Sequence, residues 1–301
     1  MADLLRASPL EVAGVEELLA ALQASVDSAR YWQEPDGEDV LTTTRDVRAA
    51  LNQLAQMISE HSLARWWTAP VDIDSQWFVL FDGMKAPVAG DVEGALERWR
   101  TEIGAEEERA QRERPIDPAA SWGGSWWSIP PRSLLSTTRR LSAGKVANDV
   151  GIPTDLGPAG LHLVEDAMFD HAAVHRALVP EGLRIYEIDG PAALAELCAQ
   201  YPFEVTASRR HDWFRTTGVD RRWVIPDWQR VAADFDGVHL TVAGYLETAG
   251  RDIRVTDDLS TVLAGWDPDQ TWWLTDRVRL DDGADAIVER WSRINDGWCR
   301  D

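Results

Sequence analysis

Apolar residues recur at helical spacing through the first third of the chain. Val15, Leu18, Leu19, Leu22 and Val26 form one stripe, which predicts an amphipathic helix. Ser8-Pro9-Leu10-Glu11 ahead of it reads as a start signal, with Ser8 as cap, Pro9 in the first helical position and Glu11 completing a capping box. The turn chemistry of "EPDGED" ends this helix. Val47, Leu51, Leu54 and Ile58 predict a second helix from Arg45 to about Ser62. A third begins after Asp91, with Val92, Leu96, Trp99 and Ile103 in register, and continues as "AEEERAQRER" to Pro115. That tail carries no apolar stripe, so it is expected to be a solvated extension or a bridge. "SQWFVLF" is the one strand expected in this part of the chain.

The pattern changes at "PIDPAASWGGSWWSIPP", where proline and glycine forbid a regular helix. A free linker has no reason to carry Trp122, Trp126 and Trp127, so this connector is expected to pack. Beyond it, "GLHLVED", "LRIYEID", "RWVIP", "GVHLTVAGYL", "STVLAG" and "TWWLT" read as short strands. Helices are expected over 191–200, 227–235 and 285–294. The spacing is too irregular for a doubly wound sheet. The expected fold class is α+β: a helical N-terminal half, then a mixed or antiparallel sheet with flanking helices. The expected division is a mainly helical region 1–115, a Pro/Gly/Trp-rich connector 116–133 and an α+β ligand-binding domain 134–301.

Charge narrows the function classes. Among 301 residues, 30 Lys plus Arg oppose 51 Asp plus Glu, a formal charge of −21. Such a chain repels polyphosphates, so no nucleic-acid partner is expected. No membrane is expected either, since no apolar run spans a bilayer, and no leader pattern is seen; a soluble, cytoplasmic protein is the expectation. Cys198 and Cys299 make no disulfide framework. Walker A, Gly-x-Gly-x-x-Gly, Gly-x-Ser-x-Gly, kinase and Cys-x-x-Cys patterns are all missing from the sequence.

Two biases suggest candidate chemistry. All but Lys85 and Lys145 of the basic residues are arginine, and there are 16 Trp to stack against them. In "SRRHDWFRTTG", Arg209, Arg210 and Arg215 are expected to grip an anion, Trp213 to stack on it and His211 to titrate near neutrality, all on an exposed loop. In "GVHLTVAGYL", strand alternation sets His239 and Thr241 against Val238, Leu240 and Val242, so His239 and Thr241 are expected to face a cleft. Tyr186 and Glu187 of "LRIYEID" are placed to join them, with Asp267 and Asp269 on a closing loop. His171 and His175 would share a metal if "DHAAVH" were helical. On a strand they stand about 13 Å apart.

These readings give three expectations. The first is an enzyme or binding protein for a small anionic, partly aromatic molecule of nucleotide type, a transferase or hydrolase with His239 and His211 as acid/base groups and Arg209, Arg210, Arg215, Trp213, Thr241, Tyr186 and Asp267 as substrate contacts. The second is a non-catalytic acidic regulatory protein that holds a basic protein. The third is a metal-dependent enzyme built on His171 and His175. The cofactor is left open.

Overall fold

The single strand expected in the helical first third lies inside the main sheet of the protein. The computed structural model describes residues 14–87, 90–143, 154–165, 168–283, 286–294 and 297–301. Its strands are β1 Gln76–Phe81, β2 Ser136–Ala143, β3 Thr154–Pro158, β4 His171–Leu178, β5 Ile185–Ile188, β6 Pro202–Glu204, β7 Arg222–Pro226, β8 Gly237–Leu240, β9 Ile253–Arg254, β10 Leu259–Thr261, β11 Thr271–Trp273, β12 Arg279–Leu280, β13 Val288–Ile294 and β14 Gly297–Arg300. Its helices are α1 Val15–Asp27, α2 Gly37–Thr42, α3 Arg45–Glu60, α4 Val92–Glu113, α5 Pro191–Gln200, α6 Thr206–Thr217, α7 Trp228–Asp234 and α8 Val242–Thr248. The start signal at Ser8 to Glu11 lies outside the described residues.

The architecture is α+β with mixed sheets. Ten strands share one sheet in the order β14-β13-β4-β1-β2-β11-β8-β5, with β12 added to β4 and β3 to β2. Only β5 and β8 run parallel in it. A second sheet, β6-β7-β10-β9, has one parallel pair, β7 with β10. One apolar core links Leu22 and Val26 of α1, Leu96 and Trp99 of α4, and Leu197, Trp223, Trp228 and Trp272. No described helix is long and apolar enough to cross a membrane.

Three local expectations are overturned. The segment 285–294, expected as a helix, carries β13, paired antiparallel with β4 and β14. Its Trp291 is buried, and Glu289 and Arg293 share that face at the period of a strand. "GLHLVED" holds a short 3-10 turn, Ala159–Leu161, in place of a strand. The strand expected through "GVHLTVAGYL" stops at Leu240, because the Thr241 hydroxyl accepts the Gly244 N–H at 2.9 Å and starts α8.

The polar tail of α4 is also not a solvated extension. Glu107 is 6% exposed and accepts the N–H groups of Ala207 and Ser208, each at 2.8 Å. These are donors that the first turn of α6 leaves without an intrahelical partner, and the positive end of the helix favours a carboxylate there. The connector packs as expected. Ser128 N–H donates to the Ala264 carbonyl at 3.1 Å, and the indole N–H of Trp213 donates to the Trp126 carbonyl at 2.9 Å.

Candidate functional site

Strand register places Trp77 opposite Thr138 and Trp272 opposite Ser136, so these side chains share one face of the main sheet. Over that face lies a cavity of about 490 Å³, closed on another side by Trp126 and Trp127 of the connector. The indoles of Trp126 and Trp127 are 4.5 Å apart, and both press on Gly265. Gly265 has φ +80°, and a Cβ added there would stand 2.6 Å from Trp127 Cδ1. Glycine is therefore required both by the left-handed backbone and by the close approach of the ring. We expect Gly265→Ala to lower stability by about 1–3 kcal/mol and to displace the Trp126–Trp127 wall. Urea unfolding with near-UV circular dichroism checks both effects; unchanged stability would contradict the packing described.

The loop after Gly265 brings Asp267 to the cavity wall. Its carboxyl is pushed up from 3.8 to about 7, chiefly by burial, against the lowering effect of the Glu165 N–H and of Arg132. The residue is half-buried and lines the cavity. Gln270 steadies it, since the Gln270 amide donates to Asp267 Oδ2 at 3.4 Å and to Ser136 Oγ at 3.3 Å. Glu165 adds a second carboxylate to the lining and bonds to the Tyr31 hydroxyl, which lies 3.1 Å from that of Tyr245. Burial raises both phenols well above their usual range, so they stay protonated.

Two cations complete the lining. Arg132 stacks 4.8 Å from the centre of the Trp127 ring, and Lys85 is exposed beside Met84. Neither forms an ion pair at contact distance among the described residues. An aromatic wall, two available cations and a carboxyl pushed up to about 7 thus share one cavity.

The opposite sheet face carries a buried polar row. Register sets Glu187 of β5 against His239 of β8, and His239 against Thr271 of β11. Glu187 Oε2 lies 2.5 Å from His239 Nδ1, and Asp269 Oδ1 lies 3.4 Å from Nε2. Asp269 also accepts from Arg139 Nε at 2.5 Å and from the Arg139 backbone N–H at 2.9 Å. The segment above this row is tied to it: Glu187 Oε1 accepts the Val71 N–H at 3.0 Å, and Arg139 donates to the Pro70 carbonyl at 2.8 Å. Asp269 is the one described non-glycine residue with positive φ, at 61°. Asp267 and Asp269 thus sit two residues apart on one loop. The first meets the cavity, and the second anchors the loop to the sheet.

Burial opposes charge on His239, but the carboxylates of Asp269 and Glu187 beside the ring outweigh burial and raise its pKa above 6.5. The stabilisation from this charge is complete below 6.5 and is lost as pH rises through the higher folded value. His239→Gln is accordingly expected to be less stable than wild type at pH 6 and to show a smaller fall in stability from pH 6 to 8. Parallel stability profiles for the two proteins would refute the charged imidazolium.

His239 is 1% exposed and does not line the cavity. The run 208–218, expected as an exposed loop, is most of α6, and its charged groups hold the connector. Arg209 pairs with Glu106 at 3.1 Å and is 2% exposed. Arg215 donates to the carbonyls of Trp32 and Trp122 at 2.8 and 2.6 Å and pairs with Asp212, which in turn accepts the N–H groups of Gly124 and Ser125. Arg210 donates to the Pro115 carbonyl at 3.2 Å. Trp213 and His211 are buried, and His211 is held neutral by burial and by Arg210, Arg114 and Arg215. Thr241 caps α8, and Tyr186 donates to the Ala193 carbonyl at 2.7 Å on the other sheet face.

His171 and His175 lie on strand β4, the geometry that keeps them from sharing a metal. No group of three metal-binding side chains occurs among the described residues. Of the substrate contacts expected from the sequence, the cavity gathers Asp267 alone. Glu165, Arg132, Lys85 and the four lining tryptophans escape sequence reasoning because they lie in separate parts of the chain with no shared spacing. Comparison with protein-family models, curated proteins and solved structures finds no significant match to the chain.

Proposed function

We propose that the cavity over β1, β2 and β11 binds a small, partly aromatic anion and that Asp267 is the acid/base group of a hydrolase or transferase step on it. The observation that carries this reading is a carboxyl with a pKa of about 7 in the wall of an aromatic cavity. Such a group is protonated in a large fraction of molecules at neutral pH. It can donate its proton to a leaving atom and, once ionised, take one from water or from an acceptor hydroxyl. Trp126, Trp127 and Trp272 offer stacking faces, and Arg132 and Lys85 meet the negative charge. The role first expected of His239 and His211 passes to Asp267, because neither imidazole reaches the cavity.

The test is a thermal-shift screen of aromatic carboxylates and nucleoside monophosphates, followed by calorimetry of any binder. Arg132→Ala is expected to weaken binding about tenfold or more, since hydrogen bonds to charged groups contribute about 1.5–3 kcal/mol. Binding that is indifferent to Arg132→Ala and to Trp127→Ala would place the ligand elsewhere and end this proposal.

A further inference from the structure

A second anion site can be argued at the far end of β4, on residues that the large cavity does not use. β12 pairs there with β4, Arg279 opposite Leu178 and Leu280 opposite Ala177. Residues paired across two strands share a face, and so do residues two apart on one strand. Arg176, Leu178 and Arg279 therefore emerge on the same side, with the two arginines as diagonal neighbours about 7–8 Å apart at the backbone, within reach of long side chains. Arg277 joins them, and the three surround a groove of about 290 Å³.

The balance of charge in this groove departs from that of the chain. Three arginines face one lining carboxylate, Asp74, in a protein of charge −21. Arg176 is exposed and makes no ion pair or side-chain hydrogen bond among the described residues. Arg277 reaches Asp236 only at 3.9 Å and otherwise donates to the Glu181 carbonyl at 3.4 Å. Arg279 pairs at 3.1 Å with Asp282, whose side chain is 85% exposed, so that pair sits in high dielectric and yields readily. Guanidinium groups gathered round one groove repel one another, and an anion between them relieves that repulsion. A group with several acceptor oxygens matches the forked donors of guanidinium.

We propose that Arg176, Arg277 and Arg279 form a binding site for the phosphoryl group of a small molecule, separate from the aromatic cavity. The site does not depend on the function proposed for that cavity, with which it shares no lining residue. The experiment is calorimetric titration of the whole protein with inorganic pyrophosphate at low ionic strength. Wild type is expected to bind one equivalent, and added salt to weaken the binding. Arg176→Ala and Arg279→Ala are each expected to weaken it about tenfold. These exposed side chains are removable without unfolding, which circular dichroism verifies. Arg132→Ala, in the cavity, serves as the comparison and is expected to leave pyrophosphate binding unchanged. Absence of binding by wild type, binding unaltered in the Arg176→Ala/Arg279→Ala double variant, or loss on Arg132→Ala would each overturn the proposal.

Discussion

Asp269→Ala is expected to lower the unfolding free energy by about 3–5 kcal/mol, the range found when one partner of a buried ion pair is removed. Asp269 is 1% exposed and serves Arg139 through both the guanidinium and the backbone N–H, while its Oδ1 faces the His239 ring. Alanine would remove the carboxylate partner of a buried guanidinium and one of the two carboxylates beside a buried imidazole, and it would also sit less easily at φ 61°. Asp269→Asn separates the two causes. Asparagine tolerates the left-handed backbone and still accepts a hydrogen bond, so its loss is expected to be clearly smaller than that of alanine. Equal losses for the two variants in urea unfolding would show that the lost carboxylate charge, and not the backbone conformation, decides stability here.

Asp267→Asn is expected to act in two opposite directions. Catalytic turnover of a substrate found by screening should fall about 10²–10⁴-fold, the usual effect of removing a positioned general acid. Stability should rise at alkaline pH. The folded carboxyl titrates at about 7 against 3.8 for the free group, so between these values the folded state holds more protons than the unfolded state. Wild-type stability therefore falls as pH rises from about 4 to 7, and above 7 the folded protein carries an unfavourable buried charge. Three pKa units correspond to about 4 kcal/mol as an upper limit, reduced by whatever water the cavity admits. Asparagine removes this pH-dependent penalty. A variant that loses turnover without gaining stability at pH 8 relative to pH 5 would break the link between the two roles.

The pattern of the chain made the individual elements more legible than their assembly. The stripes of α3 and α4, the proline start of α5 and the Asp227 cap of α7 all depend on neighbours within a turn or two, and local physics decides them. The arginines and histidine of α6 suggest a loop, whereas the segment is helical. They are tolerated in a helix because Glu106, Asp212 and several carbonyls, all distant in sequence or a turn away, accept their hydrogen bonds. Trp291 of β13 sits where either a helix or a strand would bury it, and only pairing with β4 decides between them.

The site was legible in part. Glu187 and Asp269 lie beside His239, while Tyr186, expected with them, emerges on the opposite face and Thr241 caps α8. The side of the sheet on which each residue emerges could not be read. Asp267 and Asp269 differ by two positions, yet the turn, with Asp269 itself in the left-handed region, sends them to different surroundings. Asp267 shares the cavity wall with chain segments more than a hundred residues away, the Trp126–Trp127 pair among them.

The most direct measurement is the pH titration of the Asp267 carboxyl carbon by NMR, assigned through Asp267→Asn and repeated with the aromatic anion that binds most tightly in the screen. The expected midpoint in the free protein is about 7. Bound ligand should move that midpoint, because a group in the cavity wall feels whatever fills the cavity. A midpoint near the ordinary 3.8, or one that ignores a ligand whose binding depends on Arg132, would contradict the assignment of Asp267 as the acid/base group of this site.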